Sequence, residues 1–211
     1  HPDMVSNLGL NPPKWISISQ NKVTVKRSAY SKTVLRRRSK RNFINQELKK
    51  SSFLQLFDII FTAREENFPQ SKRYVGTIVI GFLAGNIEAL APGFYITDTV
   101  NRTIGYVDSE PTIAKMTSAC LDQQWLRFAS VHFLFMSNLN TIDRLWGARG
   151  YRYAMMAAGR AGHAIYLGAT ALGLGCCGIG AFYDNEAKNI LGLNQESYLL
   201  YLLAVGKVKE V

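Results

Sequence analysis

The stretch 147–182 constrains the fold more than any other, because it combines a long helical pattern with many small residues. Residues 161–183 contain no Asp, Glu, Lys or Arg, and such a length could cross a membrane. The last third is rich in glycine and poor in large side chains, however, and three arginines precede the span. We therefore predict a buried helix that packs closely against another helix. A loop should follow over the glycine cluster 173–180, with a backbone that can approach a ligand.

The composition predicts an ordinary globular domain. A chain of 211 residues with 47% hydrophobic residues can bury a substantial core. The net charge of +10 favours anionic partners, such as a phosphorylated cofactor, nucleic acid, an acidic peptide or anionic lipid. The three cysteines form no C-x-x-C motif, so they indicate a reducing, cytoplasmic location rather than a disulfide framework or a zinc site. The first residue is His1 rather than methionine, which is typical of a fragment or a trimmed chain.

Local patterns predict an α+β fold in which the helices are longer than the strands. Residues 1–33 are predicted to form an extended arm, with a short strand at 23–25. Further helices are predicted from a cap near Asn45 to 67–69, at 113–125 and at 185–191. Strands are predicted at 77–83, 94–96, 104–107, 130–136 and 198–206. The first three strands follow one another without intervening helices, which argues against a doubly wound nucleotide-binding fold.

Several familiar catalytic motifs are absent from the sequence, namely G-x-S-x-G, H-E-x-x-H and the Walker loop. A G-x-G-x-x-G string occupies 173–178, but it follows a helical pattern rather than a strand, so the dinucleotide-binding context is missing. His132 lies in an apolar strand and is predicted to be a core histidine, and His163 is predicted to have a core or interface role. The histidines show no metal-ligand spacing, and we predict no metal site.

The basic run at 36–43, with the sequence RRRSKRNF, has three interpretations. It could be a solvated face, a nucleic-acid or localisation signal, or a phosphate clamp. The clamp interpretation has a chemical basis, because arginine pairs bidentately with phosphate oxygens and a serine hydroxyl adds a donor.

Several blocks of sequence, taken in order, carry a family resemblance. They are the basic run at 37–43, the segment 87–95, the small-residue helix at 150–175, and the short segments 180–184, 191–193 and 205–207. Their order and spacing resemble the FMN-dependent nitroreductase superfamily, and within it the branch of the azoline dehydrogenases of thiazole/oxazole peptide biosynthesis. The resemblance implies a mostly antiparallel sheet flanked by helices in an FMN-binding domain at 34–211. It also implies a homodimer with the long helix and FMN at its interface.

The resemblance also implies the residues of a cofactor site. The basic run would hold the FMN phosphate and ribityl chain, or lie beside the pyrimidine edge of the ring, through Arg37, Arg38, Ser39 and Arg41. Backbone contacts near the reactive edge of the flavin would come from Cys177, Gly178, Ile179 and Gly180, and a phosphate contact from Lys207. Ser71 lies in the counterpart of a flavin-touching segment, although Lys72 and Arg73 stand where relatives have glycines.

The function implied by the resemblance is that of an FMN-dependent oxidoreductase, which transfers a hydride through flavin N5 in two half-reactions. NAD(P)H is a candidate electron donor, and the substrate is expected to be a small aromatic or quinone-like acceptor or a peptide heterocycle. Azoline dehydrogenases carry a Lys-Tyr pair just before the G-x-R-G-Y-R block, where this chain has Leu145 and Trp146, so no catalytic residue is assigned. The alternative is a flavin-binding or scaffold partner in a peptide-modifying complex. We predict neither a nucleic-acid nor a membrane partner.

Overall fold

The computed structural model of the chain describes residues 2–18, 30–65 and 76–209. Its α-helices are α1 (Pro2–Ser6), α2 (Tyr30–Arg36), α3 (Lys50–Glu65), α4 (Ile113–Ala119), α5 (Leu139–Trp146), α6 (Gly150–Ala171) and α7 (Asp184–Ile190). Short 3₁₀ helices span Gln124–Phe128 and Gly147–Arg149. The strands are β1 (Lys14–Ser17), β2 (Val79–Ala84), β3 (Gly93–Asp98), β4 (Thr103–Asp108), β5 (Val131–Asn138), β6 (Gly175–Ile179) and β7 (Ser197–Gly206).

Within the described residues the strands form one seven-stranded sheet, in the order β1-β4-β3-β2-β5-β7-β6. Each pair of neighbouring strands is antiparallel. The predicted α+β class and mostly antiparallel sheet are therefore confirmed. The strands β1 and β6 form the two edges of the sheet.

Helices cover both faces of the sheet. On one face α3 and α6 pack over a core that includes Phe57, Phe82 and Ile165. On the other face α1, α4 and α7 pack over a second core, which includes Met116 and Leu134. The result is a three-layer domain whose central strands are buried on both sides.

The amino-terminal segment differs from the predicted extended arm. Residues 2–6 form the helix α1, and Val5, Leu8 and Leu10 are buried against the sheet. The strand β1 then pairs with β4 at the edge of the sheet. The segment folds onto the domain because burial of its apolar side chains in the core is favourable. The predicted strand at 23–25 lies outside the described residues, and the division of the chain at residue 33 stays a prediction.

The helix predicted to begin near Asn45 begins at Lys50 instead. The backbone before it is already engaged, because the Leu48 amide donates to the Asn86 carbonyl and the Leu48 carbonyl accepts from the Glu88 amide. The Glu88 carboxylate then accepts the amide hydrogen of Lys50, at 2.9 Å. A side chain 38 residues away therefore satisfies an amide at the start of α3.

The predicted helix at 113–125 is also shorter than expected. It ends at Ala119, and both Leu121 and Asp122 have left-handed backbone conformations, with φ of 59° and 51°. The chain then re-enters a 3₁₀ helix at Gln124–Phe128. Two consecutive left-handed residues form a turn that a helical pattern in the sequence does not reveal.

The long helix in the stretch 147–182 is confirmed, as the 22-residue helix α6. It ends at Ala171. Gly173 follows with a φ of +69°, and the amides of Gly173 and Leu174 donate to the carbonyls of Thr170 and Ala169. The prediction of a loop over 173–180 is wrong for its middle, since Gly175–Ile179 forms the edge strand β6. None of the described helices meets the length and hydropathy needed to cross a membrane.

His132 is a core histidine, as predicted. Its side chain is fully buried on β5, and Nε2 lies 3.1 Å from the carbonyl oxygen of Leu126. Burial lowers the pKa of the imidazole to about 4, because the charged form would lose its hydration. The folded state therefore keeps His132 neutral in the pH range where the unfolded chain, with an ordinary pKa of about 6.5, becomes protonated.

This histidine should make stability fall as the pH is lowered from 6.5 towards 4, because the unfolded state then binds the extra proton. Between pH 7 and pH 5 we expect the wild type to lose about 2 kcal/mol more than His132→Gln. The measurement is urea unfolding at both pH values. His163→Gln changes an exposed histidine on α6, and this variant should lose as much stability between the two pH values as the wild type. Equal losses in wild type and His132→Gln would show that His132 is protonated in the fold.

Candidate active site

The predicted cofactor residues from three parts of the chain meet at the β6 edge of the sheet. Ser39 forms a parallel bridge with Cys176, and the Lys40 amide donates to the Cys176 carbonyl at 2.9 Å. Further on, the Ile44 amide donates to the Lys207 carbonyl at 3.0 Å. The basic run therefore lies along β6 and past the end of β7, which sequence separation alone does not indicate.

Tyr166 of α6 joins the basic run to the edge strand. Its hydroxyl oxygen lies 2.9 Å from Ser39 Oγ and accepts a hydrogen bond of 2.7 Å from the amide of Gly178. The residue is 8% exposed, and burial raises the pKa of its hydroxyl. The Gly178 amide is consequently engaged by a side chain of the protein itself.

The arginines of the basic run point to different places. The Arg37 guanidinium lies over the Tyr166 ring, 5.3 Å from its centroid, and that of Arg41 lies over Trp125 at 5.9 Å. Arg38 turns back to the end of α2, where Nη1 donates to the carbonyls of Leu35 and Arg37 at 2.9 and 2.8 Å. The three guanidinium groups are thus spread along the edge rather than gathered at one point.

The β6 strand offers backbone rather than side chains to a ligand. Cys176, Cys177 and Ile179 are buried, and Cys176 and Cys177 enter the cores on opposite faces of the sheet. Burial raises the pKa of the Cys176 thiol well above its ordinary value, so it is not a thiolate nucleophile at neutral pH. Gly180 follows the strand and is exposed.

Tyr201 of β7 completes the environment of Gly178. A Cβ atom added to Gly178 would overlap the Tyr201 hydroxyl oxygen and lie 2.6 Å from its Cζ. Burial raises the pKa of Tyr201, and the neighbouring Tyr166 adds to the effect. Two protonated phenols therefore lie beside one glycine of the edge strand.

The sequence reasoning did not identify Tyr166, Tyr201 or Trp125. One available signal was the position of Tyr166, an aromatic residue with a polar tip in the small-residue part of a buried helix. Such a tyrosine needs a hydrogen-bond partner for its hydroxyl. Ser71, with Lys72 and Arg73, lies outside the described residues, so its predicted role stays a prediction.

Comparisons with known proteins place the chain among relatives. Residues 34–207 match the sequence profile of the nitroreductase family. A protein of Methanocaldococcus jannaschii that is named as a nitroreductase is 32% identical over 122 residues, which are 58% of this chain and 61% of that protein. The chain therefore spans less than two thirds of the length of this relative.

Solved structures share the fold at low sequence identity. A protein of Anabaena variabilis named as a nitroreductase superposes with a TM-score of 0.82 at 22% identity, over 93% of this chain and 42% of that one. A second protein named as a nitroreductase, from Ralstonia eutropha, superposes with a TM-score of 0.70 at 18% identity, over 96% of this chain and 95% of that one. The NADPH:FMN oxidoreductase of Vibrio harveyi, in complex with NAD⁺, superposes with a TM-score of 0.60 at 16% identity, over 86% of this chain and 69% of that one.

Proposed function

Because the chain belongs to the nitroreductase family, we propose that it is an FMN-dependent oxidoreductase that works in two half-reactions. FMN, when bound, would supply a site at N5 that accepts a hydride from a donor and passes it to an acceptor. We propose NAD(P)H as the donor, in keeping with the name of the Vibrio harveyi relative. The acceptor class proposed is a small aromatic or quinone-like compound, or a peptide heterocycle.

The observation that carries this proposal is the chemistry of the donors along β6. Residues 37–41 supply four cations and a hydroxyl, and no Asp or Glu occurs between residues 30 and 46. Arginine forks and hydroxyl donors of this kind bind phosphate oxygens. The residues present therefore fit a phosphorylated cofactor, with Arg37, Arg38, Ser39, Arg41 and Lys207 as its proposed anion-binding groups.

The segment 177–180, next to the basic run, would receive the flavin ring. Gly180 is exposed, and a Cβ atom added there would meet no atom within 4 Å, so a flat ring has room beside the backbone of Gly180. Positive charge from the basic run favours the reduced cofactor, which carries more negative charge than the oxidised one. The protein groups would thus bind and orient the cofactor and tune its potential.

We also propose that the enzyme is a homodimer through α5 and α6. Four large apolar side chains of these helices are exposed in the single chain: Leu145, Tyr151, Met155 and Met156. Exposed large apolar side chains on adjacent helices favour a protein interface. Sedimentation equilibrium of the purified protein should give twice the chain mass, and a monomer at micromolar concentration would contradict this part of the proposal.

The test of the function is flavin binding followed by turnover. The protein should bind FMN, turn yellow and oxidise NADH or NADPH in the presence of a quinone or nitroaromatic acceptor. Arg37→Ala should raise the Kd of FMN about tenfold, because a charge-assisted contact to the phosphate is lost. Lys14→Ala, which removes an exposed cation at the opposite edge of the sheet, should leave the Kd unchanged.

Two other outcomes are informative. A protein that stays colourless and refuses added FMN would overturn the proposed function. A protein that binds FMN but turns over with no donor would support the alternative, a flavin-binding or scaffold partner.

A further inference from the structure

Tyr166 makes the one direct side-chain link, among the described residues, between the Ser39 hydroxyl and the backbone of the edge strand. Its hydroxyl oxygen is 2.9 Å from Ser39 Oγ and 2.7 Å from the Gly178 amide nitrogen. These partners are 127 and 12 residues away in sequence. The ring itself lies under the Arg37 guanidinium, at 5.3 Å. One tyrosine therefore touches two of the groups proposed to hold the cofactor phosphate.

The direction of one of these hydrogen bonds is fixed, whereas either hydroxyl can be the donor in the bond between Tyr166 and Ser39. An amide can only donate, so Gly178 gives its hydrogen to the Tyr166 oxygen. Burial keeps the tyrosine protonated, and its single hydrogen can then go to Ser39 Oγ. Ser39 is exposed, and once it accepts from Tyr166 its own hydrogen is free to point outward. In that arrangement the chain of donors ends on the hydroxyl of an exposed residue, which an anion can reach.

We propose that Tyr166 is a positioning residue for the phosphate of the cofactor, an inference that rests on the proposed function. Tyr166 orients the Ser39 hydroxyl hydrogen towards the anion and holds the Arg37 guanidinium by a cation–π contact. It also fixes the basic run at a set distance from Gly178, since one rigid side chain contacts both. Two of its three contacts, those with Ser39 and Arg37, are to groups of the phosphate end, so its larger effect on binding is expected there.

Tyr166→Phe tests this directly, because it keeps the ring under Arg37 and removes only the hydroxyl. The binding of FMN and of riboflavin, which lacks the phosphate, is measured by flavin fluorescence titration. The Kd of FMN should rise about tenfold, whereas that of riboflavin should change by less than about twofold. Ser39→Ala should give the same pattern, and the double variant should be no weaker than either single one.

Tyr95→Phe is the matched control. Tyr95 is also buried, and its hydroxyl donates to the Ala91 carbonyl at 2.8 Å, but it lies on β3, four positions from β6 in the sheet order. The Tyr95→Phe variant should lower the midpoint of thermal unfolding to a similar extent as Tyr166→Phe. It should leave the affinities for FMN and for riboflavin unchanged.

Three results would overturn the inference, and they are distinguishable. An unchanged Kd of FMN in Tyr166→Phe would show that the hydroxyl does not act on the phosphate. Equal weakening for FMN and riboflavin would show a general disturbance of the site. If the wild type bound neither flavin, the proposed function itself would fail, and the inference with it.

Discussion

Replacing Phe82 with alanine is expected to lower the free energy of unfolding by about 3–5 kcal/mol. The ring is fully buried on β2 and stacks on Tyr95, with 4.9 Å between the ring centroids. Phe53 and Phe57 of α3 meet it edge-on, each at 5.3 Å. Truncation would remove these contacts and leave a cavity between a helix and the middle of the sheet. Neither element can move to fill it without losing other contacts.

Urea unfolding at pH 7 measures this effect through the midpoint, with an unchanged slope. Phe128→Ala is the control, because Phe128 is 46% exposed, and its loss should change stability by about 0.5 kcal/mol or less. Phe82→Leu keeps most of the volume and should be affected much less than Phe82→Ala. Similar midpoints for Phe82→Ala and Phe128→Ala would mean that the aromatic cluster does not hold α3 to the sheet.

Gly178→Ala is expected to cost about 1–3 kcal/mol of stability, because overpacking forces a rigid neighbour to move. The added methyl group would overlap the Tyr201 hydroxyl and stand 2.6 Å from Cζ and 3.0 Å from Cε2 of the same ring. Since the clash involves the ring and not only its tip, β6 or Tyr201 must shift. A shift of β6 would also lengthen the hydrogen bond from Gly178 to Tyr166, so FMN binding should weaken as well.

Gly180→Ala provides the matched control two residues along the chain. Its added methyl group meets no atom within 4 Å, so the stability of the unliganded protein should change by about 0.5 kcal/mol or less. Thermal and urea unfolding of the unliganded proteins, with FMN titration alongside, measure both effects. Adding Tyr201→Phe to Gly178→Ala removes the worst overlap and should restore part of the loss. If the two glycine variants have the same stability, close packing at Gly178 is not a constraint.

Much of the secondary structure could be predicted because its signals are local. The strands at 94–96, 104–107, 130–136 and 198–206 are all present, with small differences at their ends. They are runs of β-branched, aromatic and leucine residues, which favour buried strands. Helix boundaries were predicted less well. The start of α3 depends on the Glu88 carboxylate and on backbone pairing with distant residues, and no local pattern contains either.

The candidate site also has one part that the sequence predicts and another that depends on the fold. The basic run at 36–43 could be recognised as an anion-binding candidate because its cations are neighbours in the sequence. Its alignment along β6 could not be predicted, because that alignment depends on the bridge between Ser39 and Cys176. Tyr166 went unrecognised for the same reason, because its partners are brought to it only when α6 packs on the sheet.

The sequence by itself determined that residues 147–182 contain a long, small-residue helix, because the 3.6-residue period and the small side chains are local properties. Only the tertiary structure decided the conformation of the glycine-rich segment after Gly173. This segment forms a strand because β7 has an edge whose amide and carbonyl groups need partners. It tolerates two glycines in that strand because Tyr201 occupies the space beside Gly178, and Val208 and Phe43 the space beside Gly175. A strand of weak intrinsic propensity is thus held by its neighbours, and that contribution appears only when the chain is folded.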